Sequence, residues 1–126
     1  MSRRRDGARN FFPMPQKIFN LGLSAGEIAV YAYLMCRENR KTYQCYPSYR
    51  TIGEAVGMSR NTVKKYVDAL VEKQLIYVEP TKVKTRDGGI RNGNLRYTIR
   101  PLDEALQHHF QQQVKTHDRR FTAHRS

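Results

Sequence analysis

The chain has 126 residues, enough for one domain with a modest core, and its hydrophobic content of 39% lies below the globular average. Its net charge of +12 concerns partners rather than fold. Neither a signal peptide nor a membrane-spanning helix is expected. The longest apolar run, Ile28 to Cys36, is too short to span a bilayer, and no apolar segment follows the basic start "MSRRRDGARN".

Two cysteines, Cys36 and Cys45, match no zinc spacing and are expected as small buried hydrophobes in a reducing cytoplasm. The charge is uneven. Residues 1–20 hold five basic residues and one acidic, residues 21–80 eight and six, residues 81–100 six and one, and residues 101–126 four and three. A balanced body with basic appendages is the usual footprint of a nucleic-acid partner.

In chain order, residues 1–10 read as a disordered basic arm. "FFPMPQKIF" is too apolar for a free tail and is expected as an extended strap with a short turn at Gln16–Asn20. Ser24 and Glu27 then form a capping box, with Leu23 and Ile28 at the staple positions. The helix they open should run to about Glu38. Ile28, Val30, Tyr31, Tyr33, Leu34 and Met35 leave it little polar face, so it should be the most buried helix. "RENRKTYQCYP" is a polar loop leading to a short extended piece near Gln44–Tyr46.

Ser48 can cap a second helix, Tyr49 to Val56, with Ile52, Ala55 and Val56 inward and Gly57 as its left-handed stop. Ser59 caps again almost at once. Two helices with so short a turn must cross steeply, as in a helix-turn-helix unit. The second helix of that unit, about Arg60 to Lys73, has Val63, Tyr66, Val67, Leu70 and Val71 as its inner face.

The period then changes. "LIYVEPTKVKT" and the strictly alternating "NLRYTIR" read as two strands of a hairpin. "RDGGIRNGN" between them carries two turn signals, Asp87-Gly88 and Asn92-Gly93. Pro80 keeps the first strand at an edge or bulge. Pro101 can open a last helix with Asp103 and Glu104 in its first turn, and the tail beyond is expected to fray. The expected class is α+β, mostly α: a three-helix core, a two-stranded β-hairpin wing and a C-terminal helix. The arm spans 1–10, the domain 11–100 and the C-terminal helix and tail 101–126.

That order is a winged helix-turn-helix. The second helix of such a unit enters the major groove, so one side must bury and the other must face DNA. Ser59, Arg60, Asn61, Thr62, Lys64 and Lys65 are the expected contacts on it. Arg60 can pair with guanine and Asn61 with adenine, while the others hold phosphates. Ser48, Tyr49 and Arg50 open the preceding helix and join the set. Lys82, Lys84, Arg86, Arg91 and Arg96, with Arg100 beyond them, make the hairpin basic enough for a minor groove or a phosphate row. An edge strand guarded by lysines explains Lys82 and Lys84 equally well.

"LSAGEIAVYAYLMCREN…CYPSYRTIGEAVGMSRNTVKKYVDALVEKQLI" resembles the winged helix-turn-helix domains of bacteria and their mobile elements. "NFFPMPQKIF" resembles the opening of plasmid replication initiator N-terminal domains. The likeness covers about residues 11–100 and implies Ser59, Arg60, Thr62 and Lys64 as DNA contacts. It implies neither an operator nor an origin.

The resulting expectation is a cytoplasmic double-stranded DNA-binding protein, a bacterial or mobile-element transcription regulator. A replication initiator or accessory protein is the alternative, and a winged-helix protein–protein module is the reading from another class. No enzyme is expected: a nicking initiator needs a metal-binding His pair beside a tyrosine, whereas His108 and His109 are adjacent and point to different helix faces. No cofactor, metal, membrane or small-molecule partner is evident. Leu102, Leu106, Phe110 and Val114 form a stripe on the helix at 102–114, which serves either a homodimer or packing on the first long helix.

Overall fold

A computed structural model describes the backbone of residues 11–125 and the side chains of residues 11–115. The basic arm at 1–10 lies outside the described residues. After a 3-10 turn at Gln16–Asn20, the elements are α1 (Ala25–Arg37), β1 (Gln44–Cys45), α2 (Tyr49–Val56), α3 (Arg60–Glu72), β2 (Ile76–Glu79), β3 (Lys82–Lys84), β4 (Ile90–Asn92), β5 (Arg96–Ile99) and α4 (Leu102–Arg125).

Each of the three core helices starts at a serine. Ser24 and Glu27 form the full capping box on α1. Ser48 and Ser59 accept the backbone N–H groups of Thr51 and Thr62 at the starts of α2 and α3. Gly57 ends α2 at φ 74°, so the chain can reverse at once. The turn is tighter than its sequence suggests. The Met58 N–H donates to the Gly53 carbonyl at 2.9 Å, and the Met58 carbonyl oxygen would lie 2.3 Å from a Cβ at position 53. That approach sets the crossing of α2 and α3.

The core joins Val30, Tyr31 and Leu34 of α1, Ile52 of α2, Val63, Val67 and Leu70 of α3, Leu75 in the bend that follows, and Ile76 and Tyr97 of the sheet. Each such side chain contributes about 1.5–3 kcal/mol by leaving water. The strap adds the fully buried Ile18 and the half-buried Met14. One charged residue is drawn in. Glu27, whose side chain is 10% exposed, meets Lys73 at the end of α3 at 2.6 Å. Burial pushes its carboxyl up, but hydrogen bonds from Lys73 and Ser24 and the Lys73 charge outweigh that and hold it below the ordinary value.

Several expectations are corrected. Ala55 is exposed, and the inward position on that side of α2 belongs to Gly53, because only a residue without Cβ fits against Met58. Val71 is 37% exposed, since the inner stripe of α3 follows Val63, Val67 and Leu70 and leaves Val71 at its edge. Cys45 is buried, but Cys36 is exposed because it lies on the outer side of α1. The tail does not fray at 108: α4 continues as helix to Arg125. Its stripe divides, with Leu102 and Leu106 packed against the core while Phe110 is 65% and Val114 41% exposed.

The hairpin is one excursion built as two ladders. β5 sits between β1 and β2 in a three-stranded antiparallel sheet, with Tyr97 opposite both Cys45 and Val78. β3 and β4 form a separate pair, with Val83 opposite Arg91. Pro80 interrupts the first strand, as a residue without an N–H must. Asn92-Gly93 is not a turn: Gly93 donates to the Thr81 carbonyl across the hairpin, and its missing Cβ leaves room for Val83. The reversal occurs at the other signal, where Gly88 takes φ 84°.

Two outcomes check these contacts. Gly53→Ala should lose about 1–3 kcal/mol in urea unfolding, although alanine is the better helix former by roughly 1 kcal/mol, because the obstructing atom is backbone. Lys73→Met should lower stability most at neutral pH. A carboxyl whose folded value is depressed stabilises above its unfolded value of 4.5 and loses that contribution as the pH falls through the folded one. The gap between wild type and Lys73→Met in pH-dependent unfolding should therefore shrink below 4.5.

Candidate nucleic-acid interface

The burial of α3 decides what its other side offers. With Val63, Val67 and Leu70 inward, Arg60, Asn61, Lys64 and Lys65 are left exposed and Thr62 half-buried. Arg60 and Asn61 occupy the first turn, where the free N–H groups and the helix dipole also favour an anion. No acidic residue lies in that turn.

Not every predicted contact is free. The Ser59 hydroxyl accepts the Thr62 N–H at 3.2 Å and donates to the Thr62 hydroxyl at 2.9 Å, so its first role is the cap. On α2 the Ser48 hydroxyl likewise accepts the Thr51 N–H, at 3.1 Å, and the two hydroxyls share a hydrogen bond of 2.9 Å. Lys64 reaches Asp68 one turn on at 3.2 Å, and Arg50 reaches Glu54 at 3.0 Å. Both pairs are exposed and of the i,i+4 kind, worth about 0.3–0.5 kcal/mol, so a phosphate can displace either carboxylate. Lys65 lies over the Tyr66 ring, 5.6 Å from its centroid.

Tyr49 of α2 is half-buried and lies in the field of this α3 pair. Burial raises its phenol, the Asp68 charge raises it further, and Lys64 opposes both.

The wing cations fall into two groups. Lys82, Lys84, Arg86 and Arg91 are exposed and make no ion pair among the described residues. The register puts Lys82 and Lys84 on one face with Asn92 and Ile90, and Arg91 on the other with Val83. Arg96 belongs to the sheet, where it faces Glu79 across the ladder and bonds it at 2.6 Å. That hydrogen bond and the Glu79 charge, helped by Tyr46, raise its guanidinium further. Arg100 is structural: it bonds Glu104 and Gln74 and stacks on Tyr77, 4.2 Å from the ring centroid.

A helix-turn-helix domain family model matches residues 21–76. No curated protein matches the chain. Among solved structures, a "possible transcriptional regulator" from Methanosarcina mazei Go1 superposes with a TM-score of 0.51 at 14% identity, over 82% of this chain and 80% of that one. Residues 21–76 match the helix-turn-helix domain, and the β3–β4 hairpin beyond them gives the fold its wing. A MarR-family transcriptional regulator from Silicibacter pomeroyi is 18% identical over 84% of this chain and 62% of its own, with a TM-score of 0.43. A MepR–DNA complex from S. aureus is 15% identical over 98% and 90%, with a TM-score of 0.45.

The winged-helix domain also gathers residues that sequence reasoning missed. Arg37 at the end of α1, Tyr46 after β1 and Asn94 before β5 meet Ser48 and Thr51 around an open cleft of about 650 Å³ at the start of α2. They come from three separate elements, so no spacing in the sequence announces them. Among the described residues no group of His, Cys, Asp or Glu is arranged to hold a metal ion, and no helix is long and apolar enough to cross a membrane.

The cap role of Ser59 is separable from any contact with a partner. Ser59→Ala should cost about 1 kcal/mol in thermal unfolding, whereas Ser59→Asp, which restores an acceptor for the Thr62 N–H, should cost only a few tenths.

Proposed function

We propose that the protein is a double-stranded DNA-binding transcription regulator that sets α3 in the major groove and the β3–β4 tip on the neighbouring backbone or minor groove. The observation that carries this reading is the two-sided α3. Its inner stripe is fully buried, while Arg60, Asn61, Lys64 and Lys65 stand in solvent at the end nearest the turn. A helix fits the major groove, and side chains near its N-terminus reach base edges there. Arg60 and Asn61 are the proposed base readers. Ser48, Tyr49, Arg50, Ser59, Thr62, Lys64 and Lys65 set the register on phosphates, with Arg37 and Tyr46 beside them.

Lys82, Lys84, Arg86 and Arg91 are the proposed wing contacts, and Arg96 braces the wing through Glu79. Regulation is preferred to replication initiation on physical grounds. A domain that occupies a groove obstructs or recruits by occupancy alone, whereas initiation also requires strand opening. A bacterial or mobile-element origin, and a domain bounded at 11–100, complete the reading.

Titration into a fluorescent duplex tests it. Affinity should fall by about 10³ or more between 50 and 200 mM salt if six phosphates are contacted. Arg60→Ala/Lys64→Ala should weaken binding with the circular dichroism spectrum unchanged. Lys82→Ala/Lys84→Ala should weaken all sequences alike and flatten the salt dependence. Full affinity in the Arg60/Lys64 variant would remove α3 from the interface.

A further inference from the structure

We propose that the cleft between the strap, the end of α1 and the β5–α4 junction is a binding site for a small organic cation, with an aromatic body against the apolar walls and an ammonium on Glu38. The cleft measures about 400 Å³, within the range of small-molecule sites. Tyr31 and Met35 of α1, Tyr43, Ile99 and Leu102 make it largely apolar. A second cleft of about 490 Å³, under Pro13 and Met14 of the strap, shares Met35, Glu38 and Tyr43 with it. Glu38 therefore stands where the two meet.

The carboxylate is what selects the ligand. Glu38 Oε2 is buried and has no hydrogen-bond partner. A carboxylate oxygen in that state costs free energy unless a donor reaches it. Burial raises its carboxyl, and the Arg40 charge at the rim of the adjoining cleft opposes that without cancelling it. Arg100 also lines the cleft, but its guanidinium is engaged by Glu104 and Gln74 and lies on Tyr77. A ligand that brings a positive charge and N–H donors completes Glu38, whereas an anion of the same size is repelled.

The backbone supports the same reading. Tyr43 holds φ 59°, a left-handed conformation rarely taken by an aromatic residue. It is fixed at both ends: its N–H donates to the Asn39 carbonyl at 2.6 Å, and its carbonyl accepts the Ile99 N–H at 2.9 Å. This strained residue is held at the wall of the cleft, where such strain is commonly found in ligand sites.

The experiment uses the full chain with phenethylamine as the cation and 3-phenylpropionate as an anion of similar size, by calorimetry and amide chemical shifts, without DNA. Phenethylamine should bind at millimolar concentration and shift the amides of Met35, Tyr43 and Leu102. Glu38→Gln should weaken it at least tenfold, and 3-phenylpropionate should bind no better than that variant does. The variant removes a carboxylate whose Oε2 has no hydrogen-bond partner, so it should melt no lower than wild type. Equal binding by wild type and Glu38→Gln, equal binding of the anion, shifts elsewhere, or no binding would each overturn the proposal. A lower melting temperature in Glu38→Gln would also overturn it, since Glu38 would then have a partner within the fold. None of these outcomes depends on whether α3 binds DNA.

Discussion

The carbonyl of Met58 occupies the space in which a side chain at position 53 would begin. Almost everything else about the outer surface follows from that contact. It brings α2 and α3 together at one crossing, which sends Ile52 and Val63 to the same interior. Once that is settled, helical geometry leaves Arg60, Asn61 and Lys64 no inward place. The basic face is a by-product of where the chain had to be small. Lys73 and Glu27 then fasten the far end of α3 to the start of α1, so the helix is held at both ends.

The ion pairs divide the cations by duty. Those of Lys73, Arg96 and Arg100 join different elements or brace the sheet and its junction with α4, and their loss would disturb the fold. Those of Lys64 and Arg50 are exposed, local to one helix and weak. Weakness is useful there, because a side chain already placed by a weak partner loses less freedom on meeting a phosphate than one that is wholly mobile. Lys82, Lys84, Arg86 and Arg91 carry no such placement among the described residues and would answer mainly to the long-range field of a partner.

Much of the fold was legible from local chemistry. Serine caps, the capping box and the glycine stop each act over three or four residues, so α1, α2 and α3 could be read almost to the residue. The exposed face of α3 was legible for the same reason, since a 3.6-residue period fixes both sides of a helix at once. What stayed hidden depends on distant partners. β1 joins the sheet only by meeting β5, more than fifty residues away. Gly93 resembles a turn residue, yet it is needed because Val83 packs over it from the opposite strand. Arg100 looked like one more wing cation, and its ties to Gln74, Tyr77 and Glu104 appear only in three dimensions. The orphaned oxygen of Glu38 left no trace in the sequence, because an absent partner has no spacing.

The division of the hairpin into two ladders bears on how such a protein can change. All six residues of β3 and β4 are exposed, and Pro80 and Gly93 separate them from the sheet that carries Tyr97. The tip therefore contributes almost nothing to the core and makes few demands on it. Substitutions there, or a longer or shorter loop around Gly88, leave the folding of the body nearly untouched. A lineage could vary the tip freely while α1, α2 and α3 stay constant, so novelty can accumulate at the end of the hairpin long before the scaffold registers it.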